Sequence, residues 1–272
     1  MKTRIITAIV ALAVFAAVLI APPIVFTIAL ALVILFMLYE CYSATKADTA
    51  MKVVGFVSAV LMMAVLYGIS VAPKYVFPLF AVVIVMIIIL HMVLIVAEHG
   101  KNSYKEILSN GFLTLYVVLS MGCAWLAKEM FGTAYMLLIF ICAWSTDTFA
   151  YFTGKFFGKH KLIPHVSPNK TVEGSIGGVA GTMILSVIYL FALNKVFALD
   201  VNWLISGLAV GFVGGVFSQV GDLTASAIKR DTGIKDFGWI FPGHGGFMDR
   251  FDSVMFIAPF IFGIFIVSAF MI

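Results

Sequence analysis

Charge is what this 272-residue sequence most lacks. Only 11% of its residues are Asp, Glu, Lys or Arg, against 63% hydrophobic. Soluble domains carry about one quarter charged residues, so a soluble globular protein is excluded. No polar stretch is long enough to form a separate soluble domain. Cysteine is scarce as well: Cys41, Cys123 and Cys142 are scattered, with no CxxC pair. That pattern argues against a thiol metal site and for small apolar side chains within helices. There is no Walker A pattern, which argues against a P-loop ATP-driven machine. Internal inverted repeats are absent too. The net charge of +4 is too small to suggest nucleic-acid binding, and no nucleic acid is expected as a partner.

What the chain has is long apolar runs. A spanning helix needs about 20 mostly apolar residues. Nine segments qualify: 5–21, 24–39, 52–71, 75–97, 111–127, 133–153, 174–194, 203–222 and 253–271. The expected fold is therefore all-α, a polytopic integral membrane protein with about nine transmembrane helices. It reads as one membrane domain, with N-terminal helices over 1–110 and C-terminal helices carrying the polar loops over 111–272. Lys2 and Arg4 followed by an apolar run resemble a signal peptide. The run continues past Pro22 and Pro23 into a second apolar segment, so the first helix of a retained hairpin is expected.

With nine spans the connections alternate sides. One side takes the N-terminus and the stretches near 40–51, 98–110, 154–173 and 223–252. It holds fourteen of the seventeen Lys and Arg residues; Lys74, Lys128 and Lys195 fall on the other. Basic residues favour the cytoplasmic side. The N-terminus and both polar loops are thus expected in the cytoplasm. Glycines four apart in the seventh and eighth segments (Gly174 and Gly178, Gly177 and Gly181, then Gly207, Gly211 and Gly215) predict helices packed backbone to backbone.

The polar residues concentrate between Asp222 and Asp252. Five aspartates (Asp222, Asp231, Asp236, Asp249, Asp252), two lysines, two arginines and one histidine share that stretch. Carboxylates are hard ligands for Mg²⁺. Lysine and arginine make charge-assisted hydrogen bonds to phosphate. If the eighth helix runs past the membrane surface, Asp222 and Ser226 share a face, followed by Lys229 and Arg230. The glycine-rich run Pro242-Gly-His244-Gly245-Gly246 reads as a turn entering the ninth helix, where Asp249 and Asp252 are three apart. Asp222 and Asp249 are then candidates for one metal.

Acids within or at the ends of predicted spans are read as Asp147 and Asp222, and intramembrane charges mark function. His91, alone in the fourth span, reads as a packing or hydrogen-bonding residue. In the loop after the sixth span, Ser167-Pro168 starts a turn. Lys170, Thr171 and Glu173 precede the seventh helix, whose free amides favour an anion.

The run Ser226-Ala-Ile-Lys229-Arg230, then Lys235-Asp236, then Pro242-Gly-His244-Gly245-Gly246-Phe-Met-Asp249-Arg250-Phe-Asp252 resembles the signature of phosphatidate cytidylyltransferases, or CDP-diacylglycerol synthases. The loop Ser167-Pro168-x-Lys170-Thr171-x-Glu173-Gly174 and the segment Asp147-x-x-Ala150-Tyr151-x-x-Gly154 resemble the same family. The likeness covers the C-terminal half closely. The N-terminal helices match only in being apolar.

The resemblance implies that CTP and phosphatidate are the substrates and CDP-diacylglycerol and pyrophosphate the products. It implies Mg²⁺ with K⁺ beside it, and a homodimer in the bacterial inner membrane. On this reading Asp222 and Asp249 hold the metal. Asp252 and Asp147 lie around it or at a second cation. Lys229, Arg230 and Arg250 neutralise phosphates. Ser167, Lys170, Thr171 and Ser226 hold the triphosphate or the lipid head. His244 either donates to a phosphate or the leaving group, or belongs to the glycine turn.

Three other readings compete. A CTP-dependent polyprenol or dolichol-type lipid kinase would transfer the γ-phosphoryl group. A phosphotransferase consuming CDP-lipid resembles Asp-Gly-x-x-Ala-Arg, which is missing here. A secondary transporter would use Asp147 and Asp222 as an ion path, but the polar residues crowd one surface rather than the midplane.

Overall fold

Apolar runs of this length become helices because lipid offers no partner for a free peptide group. The computed structural model describes residues 2–71, 73–197 and 202–270, so the last residue of the span expected at 253–271 lies outside it. Nine α-helices appear among the described residues: α1 Lys2–Ile20, α2 Pro23–Ala44, α3 Thr49–Val71, α4 Val76–Ala97, α5 Tyr104–Phe131, α6 Thr133–Phe157, α7 Val172–Phe197, α8 Trp203–Asp231 and α9 Met248–Phe270. Eight of them, α2 to α9, are long and apolar enough to cross a membrane; in α1 the apolar stretch is Ile6–Ile20. The chain is thus the all-α polytopic membrane protein that its composition implies.

Two compact units emerge. The first takes residues up to 125 together with 232–250. The second takes 126–231 and the chain from 251 onward.

In the first unit α2 is the central strut. Pro23 stands at its first helical position, where a missing N–H costs nothing. Ile34, Met37, Leu38, Cys41 and Tyr42 are fully buried. The Tyr42 hydroxyl meets Thr114 Oγ1 at 2.5 Å. Trp125 Nε1 donates to Thr27 Oγ1 at 2.9 Å. His91 is buried, with Nδ1 2.8 Å from the Ile87 carbonyl, which agrees with a hydrogen-bonding role. The connections expected near 40–51 and 98–110 meet on one side. Thr45 Oγ1 donates to Asn110 Oδ1 at 2.7 Å, and Asn102 Nδ2 to Asp48 Oδ2 at 3.4 Å.

In the second unit α6, α7 and α8 form a tight layer. A Cβ added at Gly207, Gly211 or Gly215 would stand 2.5 to 2.9 Å from the Cα of Val187, Met183 or Val179. The small residues therefore bring α8 onto the α7 backbone, as their spacing predicts. A buried hydroxyl cluster joins α6 to α7: Ser145 Oγ donates to Thr182 Oγ1 at 3.0 Å, and Thr146 Oγ1 lies 2.8 Å from the same atom. Cys41, Cys123 and Cys142 are all free and buried.

Two element boundaries matter for function. The helix α8 has 29 residues, about 43 Å at 1.5 Å per residue. That exceeds the hydrocarbon core of about 30 Å, so a helix that enters the core at Trp203 carries Asp222 at the far edge and Ser226, Lys229 and Arg230 beyond it. The loop before α7 is more ordered than a turn. β1 (Lys161–Ile163) and β2 (Ser167–Thr171) pair antiparallel, Lys161 opposite Thr171 and Ile163 opposite Ser167. β2 runs directly into α7, where Thr171 Oγ1 accepts the Gly174 amide at 3.1 Å. This is an N-cap, which satisfies one of the helix's open donors.

Candidate active site

Within the second unit a cavity of about 440 Å³ opens where α6, β2, α7 and α8 converge. Asp147, Tyr151 and Lys155 line it from α6, Asn169, Lys170 and Thr171 from β2, Ser175 from α7, and Gln219 and Asp222 from α8. Backbones approach closely around it. Gly154 of α6 and Gly174 of α7 face each other, with Thr171 Oγ1 against both. Its floor is pinned by Gln219, whose Nε2 donates to the carbonyls of Ser175 at 3.2 Å and Gly215 at 3.0 Å.

Lys170 and Asp222 form an ion pair across the cavity, with side chains 25% and 30% exposed. That is buried enough to limit screening and open enough for a solute to compete. Lys170 comes from the β-hairpin and Asp222 from the extension of α8. Each is presented by an element whose shape the neighbouring residues enforce. The Glu173 carboxylate closes the base of the hairpin, accepting from the Lys159 amide at 3.0 Å and the His160 amide at 3.2 Å. Lys161 Nζ donates to the Pro168 carbonyl at 2.6 Å. Arg230 Nε reaches the Val166 carbonyl at 3.4 Å, tying the end of α8 to the hairpin tip.

Asp252, in the second turn of α9, is buried, and its Oδ1 accepts the Ser253 amide at 2.7 Å. Asp222, Asp147 and Lys229 lie within electrostatic range of it. Ser253 Oγ donates to the Ser218 carbonyl at 3.1 Å, and a Cβ at Gly221 would stand 2.7 Å from the Asp252 carbonyl oxygen. Gly221 thus allows α9 to bring its carboxylate beside α8.

The structure therefore places Asp147, Lys170, Thr171 and Asp222 on the cavity wall. Asp252 and Lys229 neighbour that wall. Ser167 pairs in the hairpin, Arg230 braces it, and neither they nor Ser226 line the cavity. Tyr151, Lys155, Asn169, Ser175 and Gln219 are additions that sequence reasoning did not single out as site residues. The signal for Lys155 was its position one turn beyond Tyr151 on α6.

The remaining expected residues, His244, Asp249 and Arg250, lie in the first unit. The Phe241 amide donates to the Gly245 carbonyl at 2.9 Å, and the His244 amide to the Phe241 carbonyl at 2.8 Å. Gly243 and Gly245 have φ of 79° and 80°, a backbone shape that favours glycine. The expected glycine turn is real. His244 Nδ1 is buried without a hydrogen-bond partner among the described residues. Asp249 Oδ2 accepts the amides of Phe237 at 2.8 Å and Gly246 at 3.0 Å. Arg250 is exposed.

One acid was overlooked. The span predicted over 24–39 stops a residue short of Glu40, but α2 continues to Ala44, and Glu40 is a buried carboxylate within it. Counting one further helical turn would have found it.

These features define a polytopic α-helical membrane protein with a charged cavity near the ends of its spanning helices. The model of the cytidylyltransferase family matches residues 2–268, and the chain belongs to that family. It is 48% identical over 128 residues to the phosphatidate cytidylyltransferase of Staphylococcus haemolyticus, a match covering 47% of each chain. It is 47% identical over 128 residues to that of Staphylococcus aureus strain COL, again 47% of each chain. To the phosphatidate cytidylyltransferase of Bacillus subtilis strain 168 it is 44% identical over 134 residues, 49% of this chain and 48% of the other. The matched stretch spans about half the length of these relatives.

Proposed function

We propose that this protein transfers the cytidylyl group of CTP to phosphatidate. A phosphate oxygen of the lipid attacks the α-phosphorus of CTP, the bond from that phosphorus to the bridging oxygen of the β-phosphate breaks, and pyrophosphate leaves. The observation that carries the reading is the Lys170–Asp222 pair in its cavity, in a chain of the cytidylyltransferase family. Each member of the pair suits a partner of opposite charge: a phosphate for Lys170, a cation for Asp222.

A lipid phosphate monoester has a second pKa of about 6, so at neutral pH it is already a dianion and needs no strong base. Two anions must instead be held together while charge moves onto the leaving group. Positioning and electrostatics carry such a reaction. Lys170 holds a phosphate on the cavity wall. Lys229, Arg230 and Arg250 offset the negative charge of the two substrates, and His244 donates to a phosphate oxygen. Thr171, Ser167 and Ser226 shape or contact the binding region. The lipid's chains stay in the bilayer while its head enters between α6, α7 and α8. A lipid-crosslinking map without contacts on those helices would contradict this arrangement.

Among the described residues no group of three or more His, Cys, Asp or Glu is arranged as a metal centre. Mg²⁺ is bound by one or two carboxylates and substrate phosphates rather than by an all-protein cage. Asp222 and Asp252 fit as hard oxygen donors, Asp147 stands nearby, and Asp249, one turn before Asp252 on α9, is the further carboxylate the sequence motif offers. When bound, Mg²⁺ offsets charge on the phosphates and orients them. K⁺ beside it, and assembly as a homodimer, belong to the same reading.

The active face is proposed to be cytoplasmic. With nine spans, fourteen of seventeen basic residues would fall on that side, and connections expected there meet within each unit, Thr45 with Asn110 and Arg230 with the Val166 carbonyl.

The test is product analysis with CTP labelled at the α- or the γ-phosphate. Cytidylyl transfer puts the α-label in lipid and releases the γ-label in pyrophosphate. γ-Label in lipid would identify a lipid kinase instead.

A further inference from the structure

We infer that Glu40, on α2, is a positioning residue that clamps the glycine-rich segment 237–249 and the start of α9. Nothing in the chemistry proposed above uses this acid. It is 2% exposed in an otherwise apolar stretch of helix, a costly place for a carboxylate unless its oxygens are satisfied. They are: Oε1 accepts the Phe247 amide at 3.0 Å and Oε2 accepts the Met248 amide at 2.8 Å.

Those two amides sit at the N-terminus of α9, where donors have no partner within the helix and the dipole is positive. The fit is close. A Cβ at Gly238 or at Gly246 would overlap the Glu40 carboxylate, so both backbones pass directly against it. Phe247 is held beside the clamp, stacked on Phe36 of the same helix at 5.2 Å. Asp249 works from the other side, accepting Phe237 and Gly246. Four amides of one short segment thus converge on two carboxylates, one of them from a helix some 200 residues earlier in the chain. His244, Asp249 and Arg250 all belong to the segment so fixed.

The geometry specifies a carboxylate rather than a shape. Two donors approach two different oxygens. Glutamine, of the same size, offers one acceptor and turns an N–H toward the other donor. The catalytic consequence rests on the proposed cytidylyl transfer; the clamp itself does not.

The experiment compares wild type, Glu40→Gln, Glu40→Asp and Gly246→Ala as full-length protein in lipid nanodiscs, by hydrogen exchange and by turnover of phosphatidate with CTP. In Glu40→Gln, peptides covering 237–250 should exchange about tenfold faster, as expected for losing one buried hydrogen bond, with α6 to α8 unchanged. kcat should fall about tenfold while the KM for CTP stays within about threefold. Glu40→Asp should retain more activity than the isosteric Glu40→Gln. Gly246→Ala, which drives a methyl group into the carboxylate, should loosen the same peptides. Wild-type exchange and kcat in Glu40→Gln would overturn the inference, as would protection lost evenly across all helices. If wild type makes no CDP-lipid but the Glu40→Gln exchange change stays confined to 237–250, the transferase reading fails and the clamp stands.

Discussion

Lys170 and Asp222 form an ion pair, and on the proposed reading a substrate phosphate competes for the lysine. A lysine presented by a two-stranded hairpin and an N-cap is well placed for that exchange, because its backbone does not have to reorganise. In the proposed transfer, replacing it removes a positive group where charge builds on the phosphates. Lys170→Ala should therefore lower kcat/KM for CTP on the order of 10²–10³-fold, as for loss of one transition-state donor. Steady-state assays on protein of unchanged thermal stability check this; a loss of less than about threefold would remove Lys170 from the site. Asp222→Asn should lose activity comparably, and titration with Mg²⁺ should show a raised requirement. Asp222 was legible in the sequence because acids at the ends of predicted spans are few, and Lys170 because it precedes a helix start in a polar loop. That they pair was not legible, because 52 positions separate them and only the fold of the hairpin onto α8 joins them.

At the scale of elements, the start of α7 and the α7–α8 contact decide where that pair stands. Thr171→Ala removes the acceptor for the Gly174 amide and should destabilise the protein by about 1 kcal/mol. A thermal shift of a few degrees at most in detergent, with activity reduced further than stability, is the expected result. Gly211→Leu is a harsher change, since a Cβ at that position already stands 2.5 Å from Met183 Cα. The variant should fail to form the α7–α8 layer and lose protection from proteolysis. The sequence announced this layer through glycines four apart, and it announced the extension of α8 through polar residues following an apolar run. It did not announce the hairpin over 161–171. Ser-Pro-Asn-Lys-Thr has the composition of a turn, and its strand pairing comes from tertiary braces by Glu173 and Arg230. Glu40 was missed for a related reason. Hydropathy places the end of a span where apolar character stops, whereas the helix continues because its last turn is packed against protein.

Across the whole molecule, topology and chemistry make a common prediction. A membrane-impermeant thiol reagent should label Lys105→Cys from the cytoplasmic face and Lys195→Cys from the opposite face in oriented vesicles. The native cysteines, all buried, should give little background. Labelling of both from one face would contradict the proposed orientation. Turnover should also fall as pH drops through the second pKa of the lipid phosphate, near 6. Protonation there weakens the nucleophile, so below it the rate should decline about tenfold per pH unit. A rate flat from pH 7 to 5 would show that the attacking group is not this phosphate.

Cytidylyl transfer at this cavity is tested most directly by following label from α-labelled CTP into phosphatidate with purified wild type and Lys170→Ala protein in identical nanodiscs, with Mg²⁺ present. Wild type should give label in CDP-diacylglycerol and stoichiometric pyrophosphate, and the variant should lose both. Label that never enters lipid with folded wild type would contradict cytidylyl transfer. Equal transfer by the variant would contradict the cavity as its site.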